Sequence, residues 1–130
     1  MIDPVNLVGM PYRLGADPEK HGAADCLSLA RHVVGHYGYT LPAPQRSWYR
    51  RLRQKDYSIF PEQLSAWGDL IQQPRIGSIV LCNTNDGYGM GGYWYDGCLV
   101  FLGTQVTWKR VTDLPIAGIY FPTKQSCATQ

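Results

Sequence analysis

The hydrophobic period of this chain changes once, at Pro74, and that change limits the folds open to it. Before Pro74, apolar residues recur at helical spacing. Leu27, Ala30, Val33, Val34 and Tyr37 fall on one face of a helix that starts near Asp25, and Gly38 is a natural stop. Residues 45–55 predict a basic helix carrying Trp48, Tyr49 and Leu52. Pro61 predicts the start of another, with Leu64, Trp67, Leu70 and Ile71 on one face and Pro74 ending it. After Pro74, the runs 78–82, 98–102, 106–111 and 116–121 are short, β-branched or aromatic, and bounded by turn residues, so they predict strands. The connectors Gly103-Thr104-Gln105 and Asp113-Leu114-Pro115 are short, which predicts antiparallel pairing of neighbouring strands. Helices followed by a strand meander make an α+β order.

At 130 residues the chain can bury one core and not two. This predicts a single domain over residues 1–122 with a C-terminal tail over 123–130. A formal charge of +2 gives no electrostatic case for a nucleic-acid partner. No segment approaches the roughly 18 to 20 apolar residues of a membrane-spanning helix. The first residues also lack the basic start and apolar stretch of a signal peptide, which predicts synthesis and folding in a cytoplasm. Cys26, Cys82, Cys98 and Cys127 show no C-x-x-C spacing, so free thiols are expected, with no zinc site and no cofactor.

One constellation carries chemistry. Asp25 is a good N-cap, because its carboxylate can accept the unpaired N–H groups of the first helical turn. Cys26 then falls inside that turn, where the helix dipole favours a thiolate and raises nucleophilicity. Around it stand Gly9-Met10-Pro11-Tyr12-Arg13-Leu14-Gly15, then Gly22-Ala23-Ala24-Asp25-Cys26-Leu27-Ser28-Leu29, then Gly38-Tyr39-Thr40-Leu41-Pro42. Further on come Pro74-x-x-Gly77-Ser78-Ile79-Val80-Leu81 and Ile116-Ala117-Gly118-Ile119-Tyr120-Phe121-Pro122.

Taken in order, these segments resemble the NlpC-type, papain-like cell-wall cysteine peptidases, and the last is similar to the variants found in bacteriophage tail proteins. The resemblance implies N-terminal helices packed on a small antiparallel meander. It implies Cys26 in the nucleophile position, Asp25 as a carboxylate that helps recognise a substrate amine, and Tyr12 as the loop tyrosine bordering the thiol. Plain capping and loop packing are the structural readings of Asp25 and Tyr12.

The base is missing from the pattern. A cysteine nucleophile needs a base within hydrogen-bond reach and a third group to orient it. In the family, the base is a histidine opening the strand that follows the Gly-Asp-Leu-Val segment. Aligned on Gly97–Gly103, that position holds Gly97 or Asp96, and the third polar position holds Gln105 or Thr107. No histidine follows His36. His32 and His36 lie about 9 and 15 Å along the helix from Cys26, out of reach. His21 is close in sequence but would approach from another side. A carboxylate at Asp96 is a poor base for a thiol, and its charge opposes thiolate formation.

Two further features bear on partners. Arg46, Arg50, Arg51, Arg53 and Lys55, interleaved with Trp48 and Tyr49, read as a solvated face or a protein interface, with Arg50 and Arg51 as contact candidates. Residues 83–95 hold four glycines and read as a loop between strands, lying across the cleft or offering Tyr93, Trp94 and Tyr95 as exposed docking anchors. Its Asn85-Asp86-Gly87 lacks the ligand spacing of a calcium loop, so no metal is expected.

The expected function is a catalytically degenerate NlpC-like domain serving as a structural or docking part of a phage tail or baseplate. Such a part would be virion-associated, partnered by other tail proteins or by copies of itself. The alternatives are an active endopeptidase cutting peptidoglycan stem peptides, and a module that binds a peptide or glycan without cutting it.

Overall fold

The structure is a computed structural model that describes residues 2–123. Cys127 and most of the expected tail therefore lie outside the described residues. Helices α1 (Pro18–His21), α2 (Cys26–His36), α3 (Arg46–Arg53) and α4 (Ile59–Trp67) precede all strands of a six-stranded antiparallel sheet, an α+β architecture. The strands are β1 (Asp69–Ile71), β2 (Ile79–Thr84), β3 (Gly87–Trp94), β4 (Gly97–Leu102), β5 (Gln105–Arg110) and β6 (Ile116–Phe121). Among the described residues no helix is long and apolar enough to cross a membrane.

Helix α2 begins where its sequence says it should. Asp25 accepts a hydrogen bond from the Ser28 N–H at 2.9 Å, while the Ser28 hydroxyl accepts one from the Asp25 N–H at 2.9 Å. This reciprocal capping box satisfies two otherwise unpaired donors. Leu27, Leu29, Ala30, Val33 and Val34 are buried, and the helix lies mainly on β3. Val33 packs so closely there that a Cβ added at Gly92 would stand 2.5 Å from its Cβ. On the same side of the sheet, Trp48 and Leu52 of α3 and Ile59, Leu64 and Trp67 of α4 complete the main core. Full burial of a side chain such as Leu64 is worth about 2 kcal/mol. The opposite face buries Val80, Cys98, Val100 and Ile119, with Leu114 of the β5–β6 crossover packed against them.

Three sequence expectations change. The stretch 83–95 is not a loop across a cleft: β3 pairs with β2 along the whole length of β2, Thr84 with Gly87 through Ile79 with Gly92. Leu70 and Ile71 do not continue α4. Gly68 ends that helix in an extended conformation and sits so tightly on the Phe121 carbonyl that only glycine fits, and the chain leaves as β1. Finally, β5 and β6 do not pair. The crossover through Val111–Asp113 carries β6 between β1 and β2, giving the order β1-β6-β2-β3-β4-β5. The meander holds only for β2 to β5.

Candidate functional site

Asp25, Cys26 and Tyr12 come together at the start of α2. Asp25 is 1% exposed, and besides capping Ser28 its second oxygen accepts the Gly15 N–H at 2.8 Å. The carboxylate therefore ties the preceding loop to the helix. That loop is fixed by its backbone as well: Tyr12 donates to the Thr104 carbonyl, Arg13 to that of Ala24, and Ala24 to that of Pro11, at 2.8 to 3.0 Å. The Tyr12 ring stands edge-on to Phe101 with centroids 5.1 Å apart. Burial, then the neighbouring Cys26 and Asp25, push its phenol up to about 12.

Cys26 lies between two hollows. One is a surface cleft of about 550 Å³ bordered by Tyr12, Tyr57, Tyr88 and Phe101. The other is a small apolar cavity of about 70 Å³ that Cys26 shares with Cys82, Gly89, Met90 and Val100. This cavity lies where β3 and β4 part, for they pair only from Gly92 with Leu99 to Trp94 with Gly97. The thiol is pushed up to about 12, chiefly by burial; Asp25 and Cys82 add to this, and the Met90 N–H opposes it. The helix-terminus effect that would favour a thiolate is outweighed by desolvation. Near neutral pH the sulfur is a protonated thiol.

The residue facing that sulfur across the sheet is Gly89. A Cβ added there would lie 4.0 Å from the Cys26 Sγ and 3.5 Å from Thr84 Cγ2. Of the positions expected for the base, Asp96 sits in the β3–β4 turn and Gly97 opens β4, paired with Trp94 and Arg110. A Cβ at Gly97 would collide with Trp108 and the Lys109 carbonyl, and Asp96 lies 3.3 Å from the Tyr93 hydroxyl. Neither borders the hollows beside Cys26. The expected third position is also displaced: Gln105 is exposed on β5, and the Thr107 hydroxyl turns to the Gln105 carbonyl.

All three histidines are engaged elsewhere. His21 Nδ1 accepts the Asp17 N–H at 2.9 Å. His32 is 3% exposed, with Nε2 3.4 Å from an Asp17 oxygen and Nδ1 accepting the Ile2 N–H at 3.4 Å. His36 is exposed and packs edge-on to Tyr37.

The candidate contact residues separate in the same way. Tyr95 is 78% exposed, whereas Trp94 is half-buried against the Leu7–Leu29 cluster and Tyr93 against the Val80–Val100 cluster. Of the three aromatic anchors expected on the surface, only Tyr95 is one. Arg50 is exposed. Arg51 is occupied within the chain by Asp56, Ser58 and Glu62, and so braces the α3–α4 turn. The cleft also contains residues that the sequence did not single out, Tyr57, Tyr88 and Gly89, and Asp86, which the sequence offered only as part of a poor calcium loop. A signal for them existed in the alternation Gly87-Tyr88-Gly89-Met90-Gly91, a period-two pattern hidden by its glycines. Among the described residues no cluster of histidine, cysteine, aspartate and glutamate is arranged to hold a metal ion.

Comparison of the chain with protein-family models, with curated proteins and with solved structures finds no match.

Proposed function

We propose that this chain is a catalytically silent domain of the NlpC-type, papain-like class that serves as a docking component of a larger assembly. One observation carries the reading: glycine faces the Cys26 sulfur where a base would have to stand, and every imidazole is committed elsewhere. A half-buried thiol pushed up to about 12, with no imidazole beside it among the described residues, cannot supply the nucleophile of peptide hydrolysis. Asp25, engaged by the Gly15 and Ser28 N–H groups and by Tyr49, reads as a structural cap. The likeness of Ile116–Pro122 to the last strand of phage-tail variants points to a tail or baseplate as the assembly. Exposed Tyr95 and Arg50 are the contact candidates that remain.

The test is turnover of purified peptidoglycan by the intact chain and by Cys26→Ala, with recovery of the chain in particle-associated complexes measured in parallel. The reading expects no released stem-peptide fragments from either protein and association with other tail components. Fragments released by the native chain and lost in Cys26→Ala would overturn it.

A further inference from the structure

We propose that the cleft beside Cys26 binds an alkylammonium group, held by the Asp86 carboxylate and the rings of Tyr12, Tyr57 and Tyr88. This deepens the silent-domain reading and rests on it in one respect, that the bound group is held and not cut. The cleft, at about 550 Å³, has the size of a small-ligand site. Its lining is chemically one-sided. Among the described residues, five aromatic rings border it, its only charged residues are Asp25 and Asp86, and no lysine, arginine or histidine lines it.

An anion would meet two carboxylates there and no counter-charge. A neutral apolar ligand would cover Asp86 and leave it unpaired, which is costly. A cation with an apolar shell suits both parts of the lining, since aromatic faces attract it through their quadrupoles and the carboxylate through its charge.

Asp86 is the carboxylate free to act. Both Asp25 oxygens already accept backbone N–H groups, and Asp25 is 1% exposed. Asp86 is exposed at the β2–β3 turn, and among the described residues no hydrogen bond or ion pair engages its side chain. The rings are held in advance of any ligand. Tyr12 is braced edge-on by Phe101, and Tyr57 stacks on Phe60 with centroids 6.4 Å apart. Gly87, at φ 144°, lets Tyr57 lean on the hairpin, because a Cβ there would stand 3.2 Å from the Tyr57 Cβ. Pre-positioned rings bind with less loss of side-chain freedom.

The experiment titrates the intact chain with choline, with butylammonium and with dimethylbutanol, the neutral carbon isostere of choline, following tyrosine ring resonances. Both ammonium probes are expected to shift the Tyr12, Tyr57 and Tyr88 rings, and the neutral isostere to bind about tenfold more weakly. Asp86→Asn should weaken the ammonium probes about fivefold and leave the isostere unchanged. Stronger binding of choline identifies a quaternary head group as the natural class, and stronger binding of butylammonium a lysine-type side chain; either supports the proposal. Equal binding of the isostere, no ring shift with either cation, or an unaffected Asp86→Asn would overturn it. Ammonium binding accompanied by Cys26-dependent peptidoglycan cleavage would instead overturn the silent-domain reading alone.

Discussion

Cys26 and His32 lie on one helix in opposite surroundings. The sulfur, at the first turn, is half-buried between the cleft and the small apolar cavity, faces Gly89, and is held as a neutral thiol. The imidazole, nearly two turns on, is 3% exposed and stands between two carboxylates, Asp17 at 3.4 Å and Glu19 at 3.9 Å. Partial burial pushes Asp17 up, but His32 and the backbone N–H groups of Lys20 and Glu19 outweigh it, and the carboxyl is held below its ordinary range. Thiol, buried imidazole and orienting carboxylate are therefore all present in α1 and α2. They fail to make a triad because thiol and imidazole share a helix, about 9 Å apart along its axis. At that separation the imidazole cannot reach the sulfur, and the strand residue that faces the sulfur is glycine, Gly89.

The largest effect that sharpens this comparison is expected on β3 itself. Gly91→Ala would drive a Cβ to 2.1 Å from the Leu99 carbonyl oxygen, so it should cost about 3 kcal/mol or prevent folding. Gly89→Ala meets nothing closer than 3.5 Å and should stay within about 0.5 kcal/mol of the native chain. Urea denaturation of the two variants measures the contrast, and equal losses would show that Gly89 is as crowded as its neighbour.

Next in size are the two polar positions of α2. Asp25→Ala removes the acceptor of the Ser28 and Gly15 N–H groups and should cost about 3 kcal/mol. His32→Leu removes one long backbone bond and one contact with Asp17, and should cost about 1 kcal/mol. Thermal unfolding of both ranks them, and the reverse ranking would make His32 the anchor of the helix.

A third effect depends on pH. Burial raises the Cys26, Cys82 and Cys98 thiols to about 12, 11 and 12, against about 8.5 in an unfolded chain. The folded state keeps protons that the unfolded chain releases. This contribution is therefore fully present below about pH 8.5 and is lost as pH rises through the folded values. Denaturation midpoints should fall between about pH 8 and 10, and less steeply in Cys26→Ala. A midpoint that rises over that range would contradict the burial of these thiols. The smallest stability effect belongs to Arg51→Ala, whose ion pairs with Asp56 and Glu62 are solvent-exposed. It should lower the melting temperature slightly, and the loss should shrink in high salt.

What could be read in advance followed from local chemistry. The Asp25 cap, the first turn at Cys26 and the buried face Leu27–Ala30–Val33–Val34 are all set by residues within a few positions of one another. What could not be read depends on contacts distant in sequence. Gly91 and Gly92 are glycines because Leu99 and Val33 press against the strand, and this strips β3 of the branched and aromatic residues that mark strands. Leu70 and Ile71 continue the helical spacing of α4, yet Gly68 against Phe121 turns the chain into β1. The insertion of β6 between β1 and β2 left no local mark either. With β3 unmarked in the sequence, nothing local points to Gly89 as the residue beside the Cys26 sulfur, a place that neither Gly97 nor Asp96 occupies.

The most direct test is the titration of Cys26 itself, by the rate of iodoacetamide alkylation at that residue across pH, read by peptide mass. The native chain should react slowly near neutrality, with a rate still climbing above about pH 10. Gly89→His, which brings an imidazole to the sulfur, should react about tenfold faster near pH 7. A native rate that has already levelled off by about pH 7 would mean that Cys26 is an activated thiolate after all, and the silent-site account would fall.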